Sequence, residues 1–289
     1  MDSDALELRA AVDTDLARMF AALPVAPGVV VEEYSAKAAD GTMLPLRWYR
    51  RAGSAAASAV VYVHGGGMIC GSPDLYDPVV RLYAGRSGVP FLAPGYRRAP
   101  EARGSTPVED VHTALRWLHD HAGSLRIDVG RIAVMGDSAG GGLAAGAAVL
   151  AREHGPRLAR QILVYPMLDD RTTAPDPVLA PLATWTYDFN RIAWRALLGD
   201  DIGGARIPPA VAPGRLTDFR GLPPAYVEVG EHDIFRDESI AYAGGLHAAG
   251  VSCELHVHPG SPHGHDWRDP QAPAGRRAIA DRLRVIGSL

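Results

Sequence analysis

From Val60 onward the chain alternates two hydrophobic patterns. Short, continuously apolar runs come first: AVVYV, VPFLAP, RIAVM, QILVYP, AYVEVG and CELHVH. Their length and β-branched content predict strands. Between most of them lie longer stretches with apolar residues every three or four positions. PVEDVHTALRWLHDH, for example, places Val108, Val111, Leu115 and Leu118 on one helical face. Strands that are apolar on both faces and alternate with helices predict an α/β chain with a mostly parallel sheet covered on both sides.

Two regions depart from this rhythm. At the N-terminus, Leu8, Val12, Leu16, Met19 and Leu23 form one apolar stripe, predicting a helix that Pro24 and Pro27 end. VVVEEYSAK and MLPLRWYRR then flank Asp40-Gly41 and predict an antiparallel hairpin. Between Leu168 and about Arg220 no strand is predicted. The first part of that stretch, DDRTTAPDPVLAPLAT, holds three prolines and leads into an aromatic helical segment with Trp185, Phe189, Ile192 and Leu197. A long insertion between strands of a compact sheet usually forms a lid or binding element.

Composition narrows the function classes. The formal net charge of the 289 residues is -4, so no basic excess exists to neutralise phosphates and nucleic-acid binding is not expected. Cys70 and Cys253 are the two cysteines, which is no disulfide framework. MDSDALELRAAV is acidic and does not read as a signal peptide, and no apolar run is long enough for a membrane span. The expected location is therefore cytoplasmic, with no membrane partner.

The chemistry concentrates in MGDSAGGG, Met135 to Gly142, where a strand is predicted to turn into a helix. Gly136-x-Ser138-x-Gly140 alone is a weak signal. A sharp strand-to-helix turn, however, demands small neighbours, and Gly136, Ala139, Gly140 and Gly141 supply them. There the Ser138 hydroxyl sits over a helix N-terminus. His64-Gly65-Gly66-Gly67 directly follows the strand AVVYV. Glycines let a backbone aim its N–H groups at a bound carbonyl, so Gly66, Gly67 and Ala139 are the candidate oxyanion hole.

A serine nucleophile needs a base, and the base needs an orienting acid. On this topology the order is Ser, acid, His, each on a loop after a strand. Asp233 follows AYVEVG and is assigned the acid, with Glu231 as fallback; Asp237 reads as a helix N-cap. His263, in PGSPHGHDW after CELHVH, is assigned the base, with His265 as its nearest rival. His256 and His258 share one strand face and read as structural. These four histidines with Asp266 meet no metal-ligand spacing, so no metal is expected.

The pairing of His64-Gly65-Gly66-Gly67 with Gly136-Asp137-Ser138-Ala139-Gly140-Gly141 resembles the hormone-sensitive-lipase-like branch of the α/β-hydrolases, in particular its bacterial carboxylesterases. Tyr96 to Glu101 resembles the family's Tyr-Arg-x-Ala-Pro-Glu box and reads as structural. Asp233 to Glu238 resembles its Asp-Pro-Leu-Arg-Asp-Glu motif, and His263-Gly264 its His-Gly-Phe motif. The similarity runs from about Val60 to Trp267. Ile234-Phe235 stand where the family has Pro-Leu, and His265 stands where it has Phe.

The resemblance implies an α/β-hydrolase core over 36–168 and 217–289, with 1–35 and 169–216 forming a helical cap in one compact unit. It implies short- to medium-chain esters as substrates, no cofactor, and a monomer or homodimer. Ser138, Asp233 and His263 would form the triad. Met68, Trp185 and His265 are candidate pocket residues; Tyr187 and Phe189 are weighed as pocket or as the cap's own packing. An amide or carbonate as substrate stays open, as does a catalytically silent member that only binds ligand.

Overall fold

The computed structural model describes residues 2–24, 26–55 and 57–289. In chain order the elements are α1 (Asp2–Ala21), β1 (Val29–Lys37), β2 (Met43–Arg51), β3 (Ala59–Val63), α2 (Asp77–Ser87), β4 (Phe91–Pro94), α3 (Thr106–Leu125), β5 (Ile132–Asp137) and α4 (Ala139–His154). β6 (Arg160–Val164), α5 (Tyr187–Leu198), β7 (Ala225–Gly230), α6 (Arg236–Ala248), β8 (Cys253–His258), α7 (His265–Arg268) and α8 (Pro273–Gly287) follow.

Eight strands form one sheet in the order β1-β2-β4-β3-β5-β6-β7-β8. The pairs β1–β2 and β2–β4 are antiparallel, and every other pair is parallel. The hairpin closes at Asp40-Gly41, where Ala38 N–H donates to Thr42 O at 2.8 Å and the Asp40 carboxylate accepts from Thr42 N–H at 2.9 Å. β3, β4, β5 and β7 are buried along their whole length. That double-sided burial is why they read as unbroken apolar runs rather than alternating ones.

The expected face of α3 is the buried one, with Val108, Val111, Leu115 and Leu118 in the core. The α1 stripe behaves differently. Leu8 and Leu23 are buried, but Val12, Leu16 and Met19 are only half-buried, because besides packing against the core they line a cavity. α1 packs on α5. Trp185 precedes α5, whose N-cap is Thr186; its hydroxyl accepts from Phe189 N–H at 3.1 Å. Residues 29–35 were expected in the cap. They pair with β2 from Val29↔Arg51 onward, so the expected boundary at residue 35 falls inside a strand of the sheet. Among the described residues, no helix is long and apolar enough to cross a membrane.

Candidate active site

The parallel strands end their carboxyl termini on one edge, where open α/β sheets bind ligands. β5 runs straight into Ser138, which holds φ 56° and ψ −123° and caps α4. This is a strained backbone for a non-glycine residue. Its neighbours leave no space: a Cβ on Gly136 would lie 2.2 Å from Gly140 O, and one on Gly140 would lie 2.0 Å from Val63 O. Small residues are therefore obligatory on both sides of the serine.

The loops after β7 and β8 carry Asp233 and His263. Main-chain bonds stitch the two loops together: Glu231 N–H donates to His258 O and His232 N–H to Ser261 O, both at 2.9 Å. The His263 Nδ1–H donates to Asp233 Oδ2 at 2.7 Å, and the Ser138 hydroxyl donates to His263 Nε2 at 3.0 Å. Asp233 is fully buried, and its other oxygen accepts from Phe235 N–H at 3.0 Å. The imidazole is enclosed by the edges of Tyr165 at 4.7 Å and Phe235 at 5.2 Å between ring centroids. Such walls hold the ring's orientation and keep bulk water off the hydrogen bonds.

Gly66, Gly67 and Ala139 lie buried at the ends of β3 and β5. Among the described residues, no acceptor takes the N–H of any of the three. Buried main-chain amides are seldom left unpaired. Of the three, Gly66 lines the same cavity as Ser138.

Asp137, next to the serine, is buried and makes no ion pair among the described residues. Tyr62 donates to one of its oxygens at 2.6 Å and Tyr76 to the other at 3.1 Å. Burial pushes this carboxyl up to about 6, partly offset by the tyrosine bonds. Neither tyrosine was expected at the site. The only sequence signal was Asp137's place beside Ser138.

A cavity of about 130 Å³ opens onto Ser138 and His263. Val12, Leu16 and Met19 of α1 form one side, and Trp185 and Phe189 another. Of the expected pocket residues, Trp185 lies on the wall, and so does Phe189, while Tyr187 does not. Met68 and His265 are not on it either. Met68 is fully buried at φ 62°, and its carbonyl accepts from Ala99 N–H at 2.9 Å. His265 is turned inward, 5.0 Å from the His258 ring, with both ring nitrogens unpartnered. Asp237 is not the cap of α6; Phe235 occupies that position, and the Asp237 carboxylate pairs with Arg236 at 2.7 Å. Glu231 is half-exposed and accepts from Gly260 N–H at 2.7 Å, away from the imidazole. The Tyr96 to Glu101 segment is structural: Tyr96 donates to His64 O at 3.0 Å, and Arg97 pairs with buried Asp110 at 2.7 Å.

A family profile described as alpha/beta hydrolase fold matches residues 60–266. Carboxylesterase NlhH of Mycobacterium tuberculosis is 40% identical over 231 residues, covering 78% of this chain and 72% of the relative. The chain belongs to the hormone-sensitive-lipase-like α/β hydrolases. Ethyl acetate hydrolase of Pseudomonas putida is 35% identical over 240 residues, covering 81% of this chain and 74% of that one. Among solved structures of such hydrolases, one titled Bacterial Heroin Esterase superposes with a TM-score of 0.91 at 37% identity, covering 99% of this chain and 92% of the other. These relationships support carboxylic ester hydrolysis as the activity of this α/β hydrolase.

Proposed function

We propose that the chain hydrolyses esters of short- to medium-chain carboxylic acids by nucleophilic catalysis at Ser138. The observation that carries this is the continuous relay from Ser138 through His263 to buried Asp233, with bonds of 3.0 and 2.7 Å. Ser138 Oγ attacks the ester carbonyl while His263 Nε2 takes its proton. Asp233 fixes the tautomer and stabilises the imidazolium. The amides of Gly66, Gly67 and Ala139 receive the oxyanion. His263 then protonates the departing alcohol, and an acyl group remains on Ser138. Water attacks that acyl carbon, giving its proton to His263, and the carboxylic acid leaves as Ser138 recovers its proton. Every step is carried by side chains and main-chain amides of this chain.

The cap reading rests on α1 and α5, which pack together over the serine, and on Thr184, whose hydroxyl donates to His263 O at 2.7 Å. The cavity they enclose is close to the ~150 Å³ that holds one benzene ring. Acyl groups of a few carbons therefore fit within it.

The test is hydrolysis of a p-nitrophenyl ester ladder from acetate to laurate, with Ser138→Ala beside the parent chain. The expected result is a kcat/KM maximum at short acyl lengths and no turnover by the variant. A flat profile would contradict the size limit, and parental rates from Ser138→Ala would contradict the nucleophile.

A further inference from the structure

The turn that carries Gly66 and Gly67 runs mostly through left-handed backbone. Gly66, Gly67, Met68 and Gly71 all hold positive φ, at 111°, 61°, 62° and 81°. Internally the turn has two bonds, from Ile69 N–H and Cys70 N–H to Gly66 O at 3.0 and 2.7 Å. Glycine takes such φ freely and only Met68 is forced into it, so a turn this free keeps one form only when its surroundings hold it there. Much of that external restraint comes from α1, far away in sequence. Arg9 Nε donates to Ile69 O at 2.5 Å, and the Asp13 carboxylate accepts from Gly71 N–H at 2.7 Å. Arg9 also forks onto Ala99 O at 2.7 Å and Glu101 at 2.6 Å. Ala99 in turn donates its N–H to Met68 O at 2.9 Å.

Arg9 and Asp13 are one helical turn apart and so share a face. The adjoining positions Val12, Leu16 and Met19 line the cavity beside Ser138. One helix thus touches both the substrate space and the turn that presents two of the oxyanion amides.

We propose that α1 is part of the oxyanion apparatus, with Arg9 and Asp13 as positioning residues that hold the glycine-rich 66–71 turn in one form. The proposal rests on the role given above to Gly66 and Gly67. It adds that the helix forming the cavity wall also sets their amides. An acyl group that fits leaves α1 seated and the amides in place. One that pushes against Val12 or Leu16 draws Arg9 and Asp13 off the turn. The penalty for a poor fit then falls on turnover rather than on binding, because the oxyanion exists only at the transition state.

The test measures kcat, KM and melting temperature with p-nitrophenyl acetate for Arg9→Met, Asp13→Ala, Asp13→Asn and Arg103→Met. Arg103→Met breaks a different tie of α1, the 2.7 Å pair with Asp2, and leaves the 66–71 turn untouched. Outright loss of one oxyanion donor lowers turnover by ~10² to 10³. A displaced donor keeps part of that, so Arg9→Met and Asp13→Ala are expected to lose roughly 10- to 50-fold in kcat, with KM within about threefold. Asp13→Asn retains an acceptor oxygen and is expected to stay within about threefold of the parent, and Arg103→Met within about twofold. If Arg9→Met does not fold, Arg9→Lys replaces it; one ammonium cannot reproduce the fork, and an intermediate loss of kcat is expected. Parental kcat in Arg9→Met and Asp13→Ala, or an equal loss in Arg103→Met, would overturn the proposal. Ser138→Ala is run alongside: full turnover there would remove the reading of the site itself, and the positioning role with it.

Discussion

Replacing Arg282 with Met leaves two carboxylates in the core without their cation. Arg282 on α8 is fully buried, as are its partners Glu228 on β7 and Asp266 on α7. Its Nε donates to Glu228 at 2.7 Å, and its Nη1 donates to Asp266 and to the Tyr83 hydroxyl at 2.5 and 2.9 Å. Asp266 lies three residues beyond His263, so the cluster also anchors the base-carrying loop from beneath. Removing one partner of a buried ion pair destabilises by ~3–5 kcal/mol, a large share of the ~5–15 kcal/mol that holds a domain folded. At ~2–4 °C per kcal/mol for a large domain, the melting temperature should fall by about 6–20 °C at pH 7.

The loss must also depend on pH. Burial alone would raise Glu228, but the Arg282 charge, the His258 ring 3.7 Å away and the Arg282 bonds outweigh it and hold the carboxyl at about 2. Tyr226 also donates to it, at 2.5 Å. A pKa below the unfolded value of ~4.3 gives stability that is present above that pH and lost as pH falls toward 2. In Arg282→Met burial wins, the pKa rises above ~4.3, and the variant pays an increasing penalty as pH climbs. Differential scanning calorimetry at pH 7.5 and 4.5 should therefore show the deficit shrinking by half or more at the lower pH. A fall in melting temperature under about 2 °C, or the same fall at both pH values, would refute the reasoning.

Asp137→Asn keeps both tyrosine contacts while removing a buried charge. The Asp137 carboxyl is raised from 3.8 to about 6, so its charged form opposes folding as pH rises through that interval. Thermal melts should show the amide variant gaining stability over the parent at pH 8 and losing that gain by pH 4; a constant difference would contradict the assignment. Asp233→Asn should lower kcat by ~10⁴ in a p-nitrophenyl acetate assay, because the amide favours the wrong imidazole tautomer. A loss under tenfold would show that another group orients His263. Gly140→Ala puts a methyl 2.0 Å from Val63 O and 2.5 Å from His64 O, both main-chain atoms that cannot yield alone. Urea unfolding should report a loss of about 3 kcal/mol or more, and parental stability would mean the elbow is looser than described.

Periodicity and chain order went far toward this architecture. Fully buried strands such as β3 and β5 announce themselves as unbroken apolar runs, and Ser138, Asp233 and His263 lie in that order after the parallel strands β5, β7 and β8. Periodicity also marks an apolar stripe without saying what it faces. Val12, Leu16 and Met19 read as core on α1, and besides packing against the core they line a cavity. Met68 and His265 neighbour site residues in sequence, but a positive φ at Met68 and an inward turn at α7 take both off the cavity wall. The boundary at residue 35 cut through the very strand the hairpin pattern predicts, and the pairing of that strand with β2 assigns all of it to the sheet. Pairings across long separations, such as Arg9 with Glu101 or Arg282 with Glu228, exist only once the chain has folded.

The most direct measurement is covalent labelling with an organophosphonate ester, read by intact mass and peptide mapping. The account predicts one adduct, placed on Ser138, forming rapidly in the parent chain and far more slowly in His263→Ala. Ester hydrolysis that continues unlabelled, or an adduct on any other residue, would contradict it.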